Sequence, residues 1–293
     1  MNIALTVLNI TAPVFLLAAV GFAWVKLGFE YRVAFVTRMA MTLAVPCLIF
    51  DALMKTEIAP EALAALSLAS FAAYGVVTFG CFVLVRLARL DTQTYLAPLI
   101  FGNTGNLGLP LALFAFGETG LGYAVVVFAV MAILSFTIGI WMVAGKGSFR
   151  RVMGEPLVAA TLLGAVFLWQ DWETPEFLTN AISLIGQMAI PMMLITLGVA
   201  VARLETQAIT RAVWLSVAKV VICIGAAWLV TQWFDLDPVA SAVLIVQVAT
   251  PVAVTSYLLA EKYGANAQPV AGLVVASTLL SVLVLPLILA FVI

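Results

Sequence analysis

Phe101-Gly102-Asn103-Thr104-Gly105-Asn106-Leu107-Gly108-Leu109-Pro110 stands in the middle of an apolar stretch, Thr92 to Gly117, that is long enough to cross a bilayer. Three glycines, two asparagines, a threonine and a proline inside hydrocarbon predict a helix that unwinds. Free backbone at that depth survives only where protein or a water-filled cavity satisfies its N–H and C=O groups. Broken helices at the midplane are how secondary carriers build binding sites.

The flanking sequence agrees with a membrane setting. Of 293 residues, 65% are hydrophobic and 9% charged, with a mean hydropathy of +1.21, far outside the usage of soluble domains. Apolar runs of about 20 residues, the length a bilayer demands, predict ten spans: 3 to 25, 33 to 54, 62 to 87, 92 to 116, 119 to 144, 155 to 170, 176 to 202, 211 to 233, 238 to 260 and 268 to 292. The longest connection, Gly145 to Gly154, leaves no room for a soluble domain. Met1 to Trp24 has no basic residue ahead of its apolar run and reads as a retained first span rather than a signal peptide. The three cysteines, Cys47, Cys81 and Cys223, fall inside spans, as packing residues.

The net charge of -1 gives no bulk attraction for nucleic acid or an anionic surface. Placement of the charges says more. Connections after the odd-numbered spans hold ten basic residues, Lys26, Arg32, Arg86, Arg89, Lys146, Arg150, Arg151, Arg203, Arg211 and Lys262, against Lys55 alone in the even ones. By the positive-inside rule the odd connections are cytoplasmic. The expected location is the cell (inner) membrane, multi-pass, with both termini on the outer, periplasmic side.

An internal repeat is legible. Ala44-Val45-Pro46 in span 2 returns as Ala189-Ile190-Pro191 in span 7, and at the same offset the break around Asn106 falls near Thr250-Pro251 in span 9. Five spans per half make the second copy sit upside down relative to the first. The expected division is a first five-helix repeat over 1–144, a cytoplasmic hinge loop over 145–154 and a second, inverted repeat over 155–293.

Two broken helices related in this way, in spans 4 and 9, would meet near the membrane centre. Thr250 is a suitable N-cap and Pro251 suits the first helical position, so a half-helix is expected to start there; in span 4 the restart lies between Asn106 as cap and a start nearer Pro110. Free N–H groups and a partial positive charge at such starts favour an anion. Asn103, Thr104, Asn106, Thr250 and Pro251 are therefore the candidate substrate-binding residues, with Gly102, Gly105, Gly108 and Pro110 as the helix break. A lone glycine here would be read as close helix packing, but the glycines are interleaved with polar residues. Gln247, Thr250, Thr255 and Ser256 stay open between this site and bonding back to their own helix. Lys219, in span 8, is either a charge-balancing cation of the site or a side chain snorkelling to the interface; for Arg38 snorkelling is expected. Asp51 belongs near the outer end of its span, and Glu118 and Glu261 at loop edges.

Enzyme classes find no support. The chain has no histidine, which removes the usual nucleophile activation, zinc–histidine and haem ligation, and it has no nucleotide-binding glycine loop. Neither a cofactor nor a metal is expected.

The chain resembles the auxin efflux carrier family, in its short prokaryotic form. The resemblance rests on Gly102-Asn103-Thr104-Gly105-Asn106-Leu107-Gly108-Leu109-Pro110, on Ala189-Ile190-Pro191-Met192-Met193-Leu194-Ile195-Thr196-Leu197-Gly198, on Pro251-Val252-Ala253 with Leu259-Ala260-Glu261-Lys262-Tyr263-Gly264, and on Glu155-Pro156-Leu157-Val158-Ala159-Ala160-Thr161-Leu162-Leu163-Gly164. It implies an all-α membrane fold of ten helices in two inverted five-helix repeats with broken helices 4 and 9 crossing, like that of the bile acid sodium symporters. It further implies a scaffold of helices 1, 2, 6 and 7, often the contact of a homodimer, and a transport unit of helices 3–5 and 8–10 that moves like an elevator. Organic anions are the implied substrates: auxin, or dicarboxylates such as malonate. Two departures matter: the long hydrophilic central loop of plant members is absent, and Glu155-Pro156 stands where the family often has Asn-Pro. The expected function is a secondary transporter of a small organic carboxylate, with two alternatives, a sodium-coupled symporter of the bile acid type and a membrane receptor that binds without transporting.

Overall fold

A computed structural model describes residues 3–55, 58–144, 156–203 and 209–292, and every regular element among them is a helix. The expected hinge 145–154, with Lys146, Arg150 and Arg151, lies outside the described residues. The elements are α1 (Ile3–Lys26), α2 (Val33–Met39), α3 (Val45–Met54), α4 (Pro60–Leu87), α5 (Thr92–Ile100), α6 (Leu109–Leu134), α7 (Ile140–Ala144), α8 (Pro156–Gln170), α9 (Glu176–Gln187), α10 (Ala189–Arg203), α11 (Ile209–Trp233), α12 (Pro238–Val248), α13 (Val254–Tyr263) and α14 (Ala267–Val292). Among the described residues, seven helical segments are long and apolar enough to cross a membrane, and Ala159–Gln170 and Pro238–Val248 are shorter apolar helices.

Local sequence explains where these helices start and bend. The two broken segments are launched alike: the Asp91 carboxylate accepts from Thr94 N–H at 2.8 Å at the head of α5, and that of Asp237 from Val239 N–H at 2.8 Å at the head of α12. Each satisfies a backbone donor that a helix start leaves free. Between α2 and α3, and again between α6 and α7, the helix widens by one residue per turn, at Ala40–Ala44 and Ser135–Gly139; wide turns of this kind occur mostly as single-turn bulges, frequently at functional sites. Gly117 interrupts α6 with φ 65° and ψ -155°, a conformation closed to residues bearing Cβ. The boundary expected between spans 4 and 5 falls on that residue.

Packing brings distant segments together. α1 lies along α10, α3 against α8 and α9, α11 against α14 and α4, and α12 against α6. The α1–α10 contact is very close: a Cβ on Gly21 would strike the Ile195 carbonyl, and one on Gly198 the Ala18 carbonyl. Small residues let helix backbones approach where lipid offers no hydrophobic drive. Phe79, Trp141, Leu162, Leu283 and Phe291 face outward, as hydrocarbon-facing side chains do. The broken segments themselves lie in the buried core, to which they contribute Leu99, Ile100, Leu107, Leu111, Leu244 and Val252.

Candidate functional site

The two breaks touch. Between α5 and the restart at Thr104, and between α12 and α13, the backbone is extended, and Gly102 pairs antiparallel with Val252 in an isolated bridge. Asn103 N–H donates to the Pro251 carbonyl at 2.7 Å, and Ala253 N–H to that of Phe101 at 3.4 Å. Val252 N–H donates to Ser277 Oγ in α14 at 3.0 Å, and Leu107 and Gly108 N–H both reach the Asn103 carbonyl, at 3.1 and 3.2 Å. Non-helical backbone inside a membrane protein must find partners within the protein, and here much of each break is satisfied by the other. Gly102 is required at this contact, because a Cβ there would overlap Thr250 Oγ1.

Each candidate residue has a definite place. Asn103 and Thr104 are buried, and Asn103 Nδ2 and Thr104 Oγ1 have no hydrogen-bond partner among the described residues. Asn106 is half-buried and lines a small crevice of about 30 Å³ with Thr37, Met41, Met193, Thr196 and Thr255. The crossing therefore brings Asn103, Thr104, Thr250 and Pro251 together, while Asn106 faces α2, its wide turn and α10. Gly105 packs against the Phe128 ring, and a Cβ on Gly108 would overlap the Gln247 carboxamide. Pro110 is the second residue of α6.

Two local expectations need correction. Thr250 does not cap the second half-helix: that helix starts at Val254 with Ala253 as its cap, and Thr250 Oγ1 donates back to the Gln247 carbonyl at 2.7 Å. The extended pairing of 101–103 with 251–253 consumes the residues that would have formed the first turn. In the other break the chain restarts at Thr104, directly after Asn103, as a wide turn running to Gly108. Asn106 does not mark the start, and the α-helix proper follows from Leu109, beside Pro110.

The open cases resolve. Lys219 does not snorkel; it is fully buried, and its Nζ donates to the Thr250 carbonyl at 2.8 Å and to Cys223 Sγ at 3.7 Å. Arg38 is exposed, as expected. Gln247 is fully buried with neither amide atom partnered among the described residues, so it does not bond back to its helix. Sequence reasoning missed Thr196 and Ser277. Thr196 sits inside a quoted motif, and Ser277-Thr278 is a polar pair in an otherwise apolar span; both signals were present.

A second cavity of about 600 Å³ lies towards the even connections, lined by Asp51, Lys55, Leu113, Glu118, Gln187 and Pro191. Asp51 and Lys55 pair at 2.8 Å, one turn apart at the end of α3 on its wall. At the crevice wall, the Tyr31 hydroxyl meets Thr196 Oγ1 at 2.8 Å. Because Thr196 already donates to the Met192 carbonyl, Tyr31 is the donor in that pair. Burial pushes the Tyr31 hydroxyl above its ordinary value, against the smaller opposing effect of the Thr196 contact, so it keeps its proton at neutral pH.

A description of one protein family fits the chain twice, over residues 6–153 and again over 144–289, and that family is the membrane transport proteins. The chain belongs to this family. It is the family of the auxin efflux carriers, the one the motifs resemble, and it makes the protein a membrane transporter rather than an enzyme. Among curated relatives, a protein of Rhizobium meliloti (strain 1021) named "Putative malonate transporter" is 25% identical over 258 residues, covering 82% of this chain and 81% of that one. An uncharacterized transporter of Methanocaldococcus jannaschii is 24% identical over 204 residues, 64% of each chain.

Proposed function

We propose that the protein is a secondary transporter of a small organic anion, a carboxylate and in the first instance a dicarboxylate of malonate size, moved by elevator-type alternating access. The observation that carries this reading is the position of the polar crossing, which meets α2, its wide turn and α10 across the Asn106 crevice. A site on a seam between two helix groups can be exposed to either side when one group slides. The ten spans form two inverted five-helix repeats, with the double family match as support. Spans 1, 2, 6 and 7 are the static scaffold and the homodimer contact; spans 3–5 and 8–10 carry the site. Both termini face the periplasm.

The substrate's charge follows from the helix starts. The first turns after Asn103 and Ala253 carry N–H groups without intrahelical acceptors and the positive end of a helix dipole, and Asn106 and Thr255 lie in those turns. The Asn103 and Asn106 amides add donors. A crevice of about 30 Å³ holds roughly one water, so a dicarboxylate enters only when the crossing moves away from α10. The 600 Å³ cavity on the even side is the approach.

A sodium-coupled symporter is the alternative favoured by one observation, the unpartnered oxygens of Thr104 and Gln247, since oxygen ligands suit hard cations. The test is a scan of mono- and dicarboxylates for thermal stabilisation of the purified protein, followed by uptake into proteoliposomes. Saturable malonate uptake is the expected result. Stabilisation without uptake identifies a receptor, and no stabilisation by any carboxylate rejects the anion site.

A further inference from the structure

We propose that Lys219 is a built-in cation of the crossing, occupying the backbone position that a co-transported metal cation would otherwise hold, so that carboxylate transport proceeds without sodium. The inference rests on the carboxylate reading above and names its coupling.

The geometry starts from burial. Lys219 lies in α11 with no exposed surface, so its stem does not lead an ammonium out to water. Nζ is 2.8 Å from the Thr250 carbonyl, two residues past the last residue of α12. The C-terminal end of a helix leaves carbonyls without intrahelical donors and carries the negative end of the dipole. Unwound carbonyls and half-helix C-terminal ends are the groups with which broken-helix carriers hold sodium. Here an ammonium on the same chain already holds one.

The charge is not a packing requirement of the fold. At the repeat offset Lys219 corresponds to Tyr74, which is equally buried and stacks on Phe101 of the other break with ring centroids 6.3 Å apart. A neutral side chain thus supports one break and an ammonium the other. Nor is the ammonium neutralised by a carboxylate: among the described residues the ion pairs are Arg32–Glu30 and Lys55–Asp51, and the partners of Nζ are a carbonyl and a thiol. A buried cation without a counter-ion is costly. A carboxylate arriving at the adjacent crossing supplies that counter-ion, so substrate charge is balanced by the protein rather than by a travelling cation.

The experiment compares the parent with Lys219→Ala and Lys219→Met. In the absence of any carboxylate, melting of the parent in detergent is measured in sodium chloride and in choline chloride; the same midpoint is expected in both, and a sodium-specific rise would overturn the proposal. Removing the side chain empties the carbonyl position, so Lys219→Ala is expected to gain a stabilisation by sodium or methylammonium over choline that the parent lacks; a folded Ala variant indifferent to both cations counts against it. Malonate uptake by parent proteoliposomes should be unchanged when potassium replaces sodium, and Lys219→Met should lose about tenfold or more of it. Near-parental uptake by Lys219→Met, or a parent that stops without sodium, rejects the built-in cation. If the parent takes up no carboxylate at all, the carrier reading fails while the melting arms still decide the role of Lys219. Should neither variant fold, the parent measurements alone retain the power to reject.

Discussion

Gly108 and Gln247 meet across the crossing with no room for a methyl group, and so do Gly102 and Thr250. Adding a Cβ at Gly108 forces aside the buried Gln247 carboxamide, which has no hydrogen-bond partner among the described residues. Gly108→Ala should therefore lower stability by about 1–3 kcal/mol through overpacking, read as a drop in melting temperature in detergent. Gln247→Ala in the same background should recover part of it, which a purely local helix effect would not. Asn106 has the opposite character, since it borders a crevice. Asn106→Ala should fold and lose saturable carboxylate uptake, and Asn106→Asp should lose binding more completely, because a carboxylate at an anion site adds like-charge repulsion to the lost donor. Tighter malonate binding by the Asp variant would contradict an anion site.

At the scale of the helix, what holds α1 to α10 is the backbone approach at Gly21 and Gly198. Backbone carbonyls cannot rotate away as side chains do, so Gly198→Ala should destabilise more than Gly108→Ala, again by melting temperature, and equal shifts would show that the α1–α10 contact yields. Helix breaks were legible where Gly, Asn and Pro interrupt an apolar run, as in 101–110, because those residues have a local conformational meaning independent of their surroundings. The limits of the second break were not. Thr250-Pro251 looks like a helix start, but the extended pairing with 101–103 outweighs that local preference, and the pairing is a long-range event that no window of sequence contains. The wide turns at Ala40–Ala44 and Ser135–Gly139 escaped for the same reason. Lys219 carried an ambiguous signal, since a long cationic side chain two turns inside a span fits either burial or snorkelling until its neighbours are known.

For the whole molecule, the proposed orientation places the basic odd connections in the cytoplasm. With Cys47, Cys81 and Cys223 replaced, a cysteine in place of exposed Glu173 should react with an impermeant thiol reagent in intact cells, and one in place of exposed Arg89 should stay protected. The reverse pattern would invert the assigned topology. The bridge between Gly102 and Val252 also bears on how the protein is made. Its two partners are separated by about 150 residues of chain, and at ribosomal speeds of roughly 5–20 residues per second that interval is on the order of 10 s. During it Asn103 N–H has no Pro251 carbonyl to meet, and the polar break waits in the membrane among half of its eventual neighbours. A nascent chain halted before Ala249 should accordingly be cut readily around residues 101–108 by protease added to permeabilised vesicles, and lose that sensitivity once synthesis passes α13 and α14 inserts.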